Sequence, residues 1–439
     1  MTLITAELVF AEDRWERRHG FVLQGGIILA SGQPDELAER FPEHDREDWG
    51  DVAVVPGTVN AHAHSFQALL RGYGDDLSFM GWRDRVLYPF SELLDRDGIR
   101  TGALFDFTEM VRHGVTTVVD FFYLHDRGNE NDLAVVDAAH EVGVRLVLAR
   151  SMYDWAGAPK RYQETPDQAL RNGRDLAEAL RSDRRAFVQP APHSIHGASP
   201  QMIRAGAALA EELEAPFHIH VAEGRYEREL SLERHGLSPV RFLDSIGALT
   251  ERTILVHCVW VDPEDLDLIA ARGANIVHNP GANSFLGDGI APVREMLARG
   301  IPVALGTDGG CTNSRQSVFE EMRMAALLAK AVDANGEAMR AEDVLIAGTA
   351  RGGEVLGLPV GRIAPDHAAD LVVLDLSSLS LQPAATAHKQ VVYAMQPEAI
   401  ARVYVGGEVV AEHGRPTGVD VDELRARIST VTRNWHPPA

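Results

Sequence analysis

Short, apolar, β-branched runs recur through the middle of the chain. They are VAVVPGTVNAHAH (52–64), GVTTVVDFF (114–122), VRLVLARS (144–151) and FVQPAPHS (187–194), followed by PFHIHVAE (216–223), TILVHC (253–258), NIVHNP (275–280) and VALGTDG (303–309). Amphipathic segments such as DLAVVDAAHEVG, PQMIRAGAALAEELE and PEDLDLIAARG separate nearly all of them. Strands alternating with helices predict parallel βα units. Eight such units close naturally into a (β/α)8 TIM-like barrel. A doubly wound open sheet is the alternative, but no glycine-rich phosphate loop follows an early strand.

The ends follow a different pattern. Residues 1–55 hold FVLQGGIILASG, and residues 361–418 hold ADLVVLDL and ARVYVGGEVVAEHG: short strands around glycine turns. These two stretches are expected to form one small β-sandwich flanking a barrel of residues 56–360. Residues 419–439 are expected to be a C-terminal helix and a tail. The segment 65–99, between the first strand and its helix, is the longest insertion and a candidate lid.

Composition narrows the partners. Of 439 residues, 45% are hydrophobic and 24% charged, ordinary values for a globular protein. The net charge of −22 argues against a nucleic-acid partner and against an anionic membrane surface. Two cysteines, Cys258 and Cys311, build neither a disulfide framework nor a CxxC zinc site. With no signal-peptide pattern and no long apolar span, the expected location is the cytoplasm.

The chemistry gathers at the strand ends. Residues i and i+2 of a strand face one way, so His62 and His64 share a side at the C-terminal end of the first run. The fifth run ends with His218, His220 and Glu223, the sixth with His257 and the eighth with Asp308. Each has a bland alternative: an HxH pair in a core strand, a hydrogen-bonded core histidine, an aspartate capping a turn. Their coincidence at matching strand ends favours a metal centre. Three imidazoles and a carboxylate suit Zn²⁺ with a position open for water; Fe²⁺ is compatible with the same donors.

The combination PGTVNAHAH…HIHVAE…VHC…HNPGANSFLGDGIAPVREMLARGIPVALGTDGG resembles the amidohydrolase superfamily. Within it, the chain is similar to the deaminase and chlorohydrolase branch, which holds S-adenosylhomocysteine and methylthioadenosine deaminases, guanine deaminase, triazine hydrolases and formiminoglutamate deiminase. The resemblance implies that His62, His64, His220 and Asp308 hold one Zn²⁺ per subunit. It implies that Glu223 shuttles protons and that His257 orients or polarises the attacking water. No lysine ends the fourth run, so a carbamylated lysine bridging two metals is absent and a mononuclear site is expected. A homodimer or higher homo-oligomer is also implied.

The expected reaction is attack of activated water on a C=N carbon, releasing ammonia from a small amidine, formimino or aminated N-heterocyclic compound. Hydrolytic dechlorination or C–N ring opening on the same scaffold is the second possibility. A catalytically silent binding barrel is the third, although every ligand and shuttle position is filled. For the substrate, Trp82 and Pro89 match the branch's nucleoside-deaminase pattern, but Ser91 stands where that pattern has a glutamate, with Glu92 one position on. Gln67, Trp82, Arg83, Tyr123 and His193 match formiminoglutamate deiminase instead, with His196 in place of its arginine. These six residues, Gln67, Trp82, Arg83, Tyr123, His193 and His196, are the expected substrate contacts.

Overall fold

A computed structural model describes residues 1–436. The last three residues of the expected tail lie outside them. Six strands precede the first long helix: β1 (Thr2–Ala11), β2 (Arg14–Gln24), β3 (Ile27–Gly32), β4 (Asp45–Asp48), β5 (Val52–Pro56) and β6 (Thr58–His64). Then follow β7 (Val115–Phe122), β8 (Arg145–Met152), β9 (Ala186–Pro192), β10 (Phe217–Val221), β11 (Thr253–His257) and β12 (Asn275–His278). The series closes with β13 (Val303–Leu305), β14 (Asp308–Gly309), β15 (Leu371–Asp375), β16 (Ile400–Val405), β17 (Glu408–Glu412) and β18 (Arg415–Pro416).

Strands β6 to β14 form two parallel arcs, β14-β6-β7-β8-β9 and β10-β11-β12-β13. Their continuous apolar sequences follow from burial on both faces: every residue of β6, β7 and β8 is buried. A parallel bridge between Ser194 and His220 joins the arcs at one seam. At the other, the eighth expected strand appears as two pieces. β13 pairs with β12, while β14 pairs with β6, placing Asp308 opposite Ala63. The chain changes partner at Gly306 and Thr307. The Gly306 amide donates to the His278 carbonyl (3.1 Å). A Cβ on Gly306 would lie 2.8 Å from the His62 Cβ, so only glycine fits.

Helices lie between the strands, and four start with one device. Thr165, Ser199, Ser238 and Asp262 each accept an amide hydrogen from the third residue beyond, with proline at the next position. The side-chain oxygen satisfies an orphan helical N–H, and proline lacks the N–H that would be orphaned there.

The terminal strands form one nine-stranded mixed sheet, β18-β17-β16-β15-β5-β1-β2-β3 with β4 beside β1, where the sequence pattern suggests a sandwich. β5 causes the difference. It pairs parallel with β1 and antiparallel with β15, joining the N-terminal and C-terminal strands without a break. A separate apolar cluster, including Ile4, Phe21, Val54, Leu371 and Val373, covers part of this sheet.

A buried ion pair ties this sheet to the parallel strands. Arg145 of β8 donates from Nε and Nη2 to the two carboxylate oxygens of Asp370 (3.2 and 3.1 Å), and Asp370 also accepts from the Gly406 amide (2.7 Å). Asp370 is 1% exposed. Arg145→Met should therefore leave an unpaired buried carboxylate and cost about 3–5 kcal/mol of stability, read as a lowered urea midpoint. The double variant with Asp370→Leu should recover much of that loss.

Candidate active site

The strand ends do converge. His62, His64 and His220 bring ring nitrogens within 4.8 Å of one another, as do His62, His257 and Asp308 with their ligand atoms. His62 Nε2 lies 3.3 Å from His220 Nε2 and 3.5 Å from Asp308 Oδ1; His64 Nε2 lies 3.4 Å from the same oxygen. All four side chains are buried.

The hydrogen bonds around this cluster reveal its proton arrangement. His64 Nδ1 donates to the Phe121 carbonyl (2.6 Å), and His220 Nδ1 donates to the His193 carbonyl (2.7 Å). Burial holds His62, His64 and His220 below the usual histidine range, so the rings are neutral. A neutral ring with Nδ1–H has a bare Nε2. The bare Nε2 atoms of His64 and His220 thus crowd one point with His62 Nε2 and a carboxylate oxygen. A divalent cation satisfies all of them, and backbone carbonyls behind ligating histidines are the usual support for one.

Asp308 is aimed by its surroundings. Asn60, two residues before His62, accepts from the Thr307 amide (2.9 Å) and donates to the Thr307 hydroxyl (2.7 Å), which in turn donates to Gln316. The Gly309 amide donates to Asp308 Oδ1 (2.7 Å). A Cβ on Gly309 would lie 1.9 Å from Gln67 Oε1, so a larger residue in the TDG turn would push the Gln67 side chain aside. Asp308 has φ +63°, and Ala222, His257 and Cys258 are also left-handed, at +53°, +80° and +50°. Left-handed non-glycine residues cost about 1–3 kcal/mol each and persist where the surroundings dictate them.

Glu223 follows β10 and stands beside the cluster. Its Oε1 is 3.6 Å from His257 Nε2. Burial, then the neighbouring Asp288, Asp308 and Glu227, pushes its carboxyl well above the ordinary glutamate range. It is therefore suited to carry a proton and release it. His218 lies deeper, its Nε2 against Gln189 Oε1 (2.7 Å), which is a packing role.

Above the cluster opens a recess. All six expected contacts, Gln67, Trp82, Arg83, Tyr123, His193 and His196, line it. Gln67 donates to the Tyr123 hydroxyl (2.7 Å), and Trp82 Nε1 donates to Cys311 Sγ (3.3 Å). Arg83 pairs with Asp84 (2.7 Å) and lies over the Tyr88 and Trp155 rings, which gives Trp155 a packing role behind it. His196 Nδ1 stands 3.8 Å from Glu227. Ser91 is buried outside the recess: its hydroxyl donates to the Tyr88 carbonyl and accepts from Tyr162. Glu92 is exposed and does not line the recess.

The recess also holds residues the sequence pattern does not single out. Tyr88, Tyr153, Tyr162, Leu286 and Thr312 line it. The tyrosines sit in connections, where no periodicity marks them. Asn60 carried a signal, since it continues the alternation of NAHAH on the face of His62 and His64.

Comparison with known proteins agrees with this geometry. The model of the Amidohydrolase family matches residues 53–410. A 5-methylthioadenosine/S-adenosylhomocysteine deaminase of Desulfovibrio desulfuricans is 33% identical over 98% of this chain and 96% of its own. A 5'-deoxyadenosine deaminase of Methanopyrus kandleri is 33% identical over 91% of this chain and 92% of its own. Among solved structures, a zinc-bound adenosine deaminase from Xanthomonas campestris superposes with a TM-score of 0.91 at 28% identity, covering 98% of both chains. An atrazine chlorohydrolase from Arthrobacter aurescens shares the fold, with a TM-score of 0.90 at 24% identity, over 98% of this chain and 100% of its own. These neighbours imply a TIM-like barrel for the two parallel arcs. By its residues, its strand-end cluster and its full-length relatives, the chain belongs to the amidohydrolase family.

Proposed function

We propose that this chain is a zinc-dependent aminohydrolase, that its two arcs close as a (β/α)8 barrel, and that it releases ammonia from the C=N carbon of an aminated N-heterocycle. The observation that carries this is the convergence of His62, His64, His220 and Asp308 on one point with Glu223 beside them. When bound there, a divalent cation acidifies water toward neutrality and so supplies the nucleophile. Asp308 takes a proton from the attacking water at its carboxylate. Glu223 gives its proton to the ring nitrogen next to the carbon under attack, which makes that carbon more electrophilic; Asp308 hands the water's proton to the departing amino group, and Glu223 regains a proton from the new hydroxyl as it becomes a carbonyl. The C–N bond breaks, ammonia leaves, and the oxygen stays on the carbon. His257 braces the reacting atoms from Nε2. Gln67, Trp82, Arg83, Tyr123, His193 and His196 hold the substrate over the cluster.

The full-length relatives are named for 5'-substituted adenosines, which makes these the first compounds to test. A second reading has its own support. With Ser91 turned to Tyr162, no carboxylate of that stretch lines the recess, which favours a substrate without a ribose diol, such as a formimino acid or a bare heterocycle. Ammonia release from 5'-methylthioadenosine, S-adenosylhomocysteine, adenine, pterins and formimino acids separates the two. One class should exceed the others by at least about tenfold in kcat/KM, and a strong zinc chelator should abolish turnover. Chloride release from a chlorotriazine without ammonia release from any amine would establish a dechlorinase instead. We also place the protein in the cytoplasm, as a homo-oligomer. Two buried unpaired cysteines suit that compartment, and among the described residues no helix is long and apolar enough to cross a membrane.

A further inference from the structure

His257 is buried at the end of β11 with its backbone in the left-handed region. Two asparagines of the helix that follows β12 (Pro280–Leu286), its N-cap Asn279 and Asn283 within it, meet the ring on one side. Asn279 Nδ2 lies 3.2 Å and Asn283 Nδ2 3.1 Å from His257 Nδ1. Both amide oxygens, Asn279 Oδ1 and Asn283 Oδ1, are buried without a partner.

For Asn279 alone, this would not settle which end of the amide faces the ring. Asn283 settles it, because its Nδ2 also faces Asp288 Oδ2 at 3.4 Å. Turning that amide over would set oxygen against the Asp288 carboxylate, whose pKa burial raises to about 7 and which is therefore ionised above that pH. The Asp288 position is itself pinned: its amide donates to the Asn283 carbonyl (2.9 Å), and Trp260 Nε1 donates to its carbonyl (2.7 Å). An amide nitrogen only donates. His257 Nδ1 must therefore accept, and the ring proton must sit on Nε2, the atom 3.6 Å from Glu223 Oε1.

We propose that Asn279, Asn283 and Asp288 are positioning residues that fix His257 as its Nε2–H tautomer, so that the ring meets the reacting atoms as a hydrogen-bond donor. Asp288 orients the Asn283 amide, Asn283 and Asn279 block protonation of Nδ1, and the donor is turned inward. A ring fixed this way does not act as a base at Nε2. It stabilises negative charge that develops beside it, a role that depends on the donor being aimed before the reaction begins. In its kinetic arm this rests on the aminohydrolase reading; its spectroscopic arm stands without it.

The test is a long-range ¹H–¹⁵N spectrum of zinc-loaded, ¹⁵N-histidine-labelled protein, with His257 assigned by its loss in His257→Gln. Wild type should show a bare, pyridine-like Nδ1 and a protonated, pyrrole-like Nε2. Asn283→Asp places a carboxylate at Nδ1 and should protonate that nitrogen. In that variant kcat should fall about 100-fold, with KM within about threefold and zinc content unchanged. Asp288→Asn removes the anchor of the Asn283 amide and should give a mixture of the two ring forms, which covers the case in which Asn283→Asp fails to fold. A protonated Nδ1 in wild type overturns the proposal, as does a His257 signal that neither variant changes. Correct spectra with no ammonia release from any amine would instead overturn the aminohydrolase function and leave the tautomer standing.

Discussion

Glu223→Gln is expected to lower kcat about 1,000-fold while leaving KM within a few-fold and zinc content unchanged. The substitution keeps shape and volume at a buried position, so the recess and the cluster should persist. What it removes is the exchangeable proton. A glutamate buried beside Asp288 and Asp308 is pushed up toward its protonated form, which is the state needed to donate to a ring nitrogen. A glutamine carries N–H groups in nearly the same place but cannot surrender one. The loss should therefore fall on kcat and kcat/KM together, the signature of an interaction made in the transition state. Steady-state ammonia release, with zinc measured on the same samples, checks it. A variant with unchanged kcat would remove Glu223 from the mechanism and pass the proton to Asp308 or to solvent. A variant that lost zinc as well would mean that Glu223 helps hold the metal.

The parallel strands and the cluster of histidines with Asp308 were legible for one physical reason. Buried parallel strands require unbroken apolar runs, and a polar residue at the end of such a run is conspicuous. His62 and His64 stand out by alternation, and His220, His257 and Asp308 by their places at strand ends. Features set by contacts between distant segments were less visible. The join made by β5 in the terminal sheet depends on pairing with both β1 and β15, hundreds of residues apart. The division of the eighth strand at Gly306 depends on closure against β6. The recess tyrosines and the Asn283–Asp288 pair lie in the connections between strands, in short helical turns and loops whose conformation no long periodicity encodes. Ser91 shows a different limit. Its identity was plain from the sequence, but its turn away from the recess toward Tyr162 was not.

The largest loss should come from the ligands, and two substitutions there should fail in different ways. His220→Ala removes a ligand whose Nδ1 is braced by the His193 carbonyl, leaving two imidazoles and a carboxylate. Zinc content should fall from about one per chain to a small fraction of that, and activity should fall with it by at least about 10⁴-fold. Excess zinc should restore part of the occupancy. Asp308→Asn is the sharper probe. Asparagine tolerates the left-handed backbone at this position, and its amide oxygen can still accept from Gly309. Three imidazoles remain to hold zinc, so occupancy should stay high after purification with zinc. Activity should nevertheless fall by about 10⁴-fold, the upper end for loss of a positioned acid–base group, because the amide cannot take a proton from the attacking water. If His220→Ala lost activity without losing zinc, His220 would act in catalysis rather than in binding. If Asp308→Asn lost both zinc and activity, the carboxylate would be a ligand above all, and the water's proton would have to leave through Glu223. Metal content and turnover, measured on both variants, thus separate holding the ion from moving the proton, two roles proposed for one cluster of buried side chains.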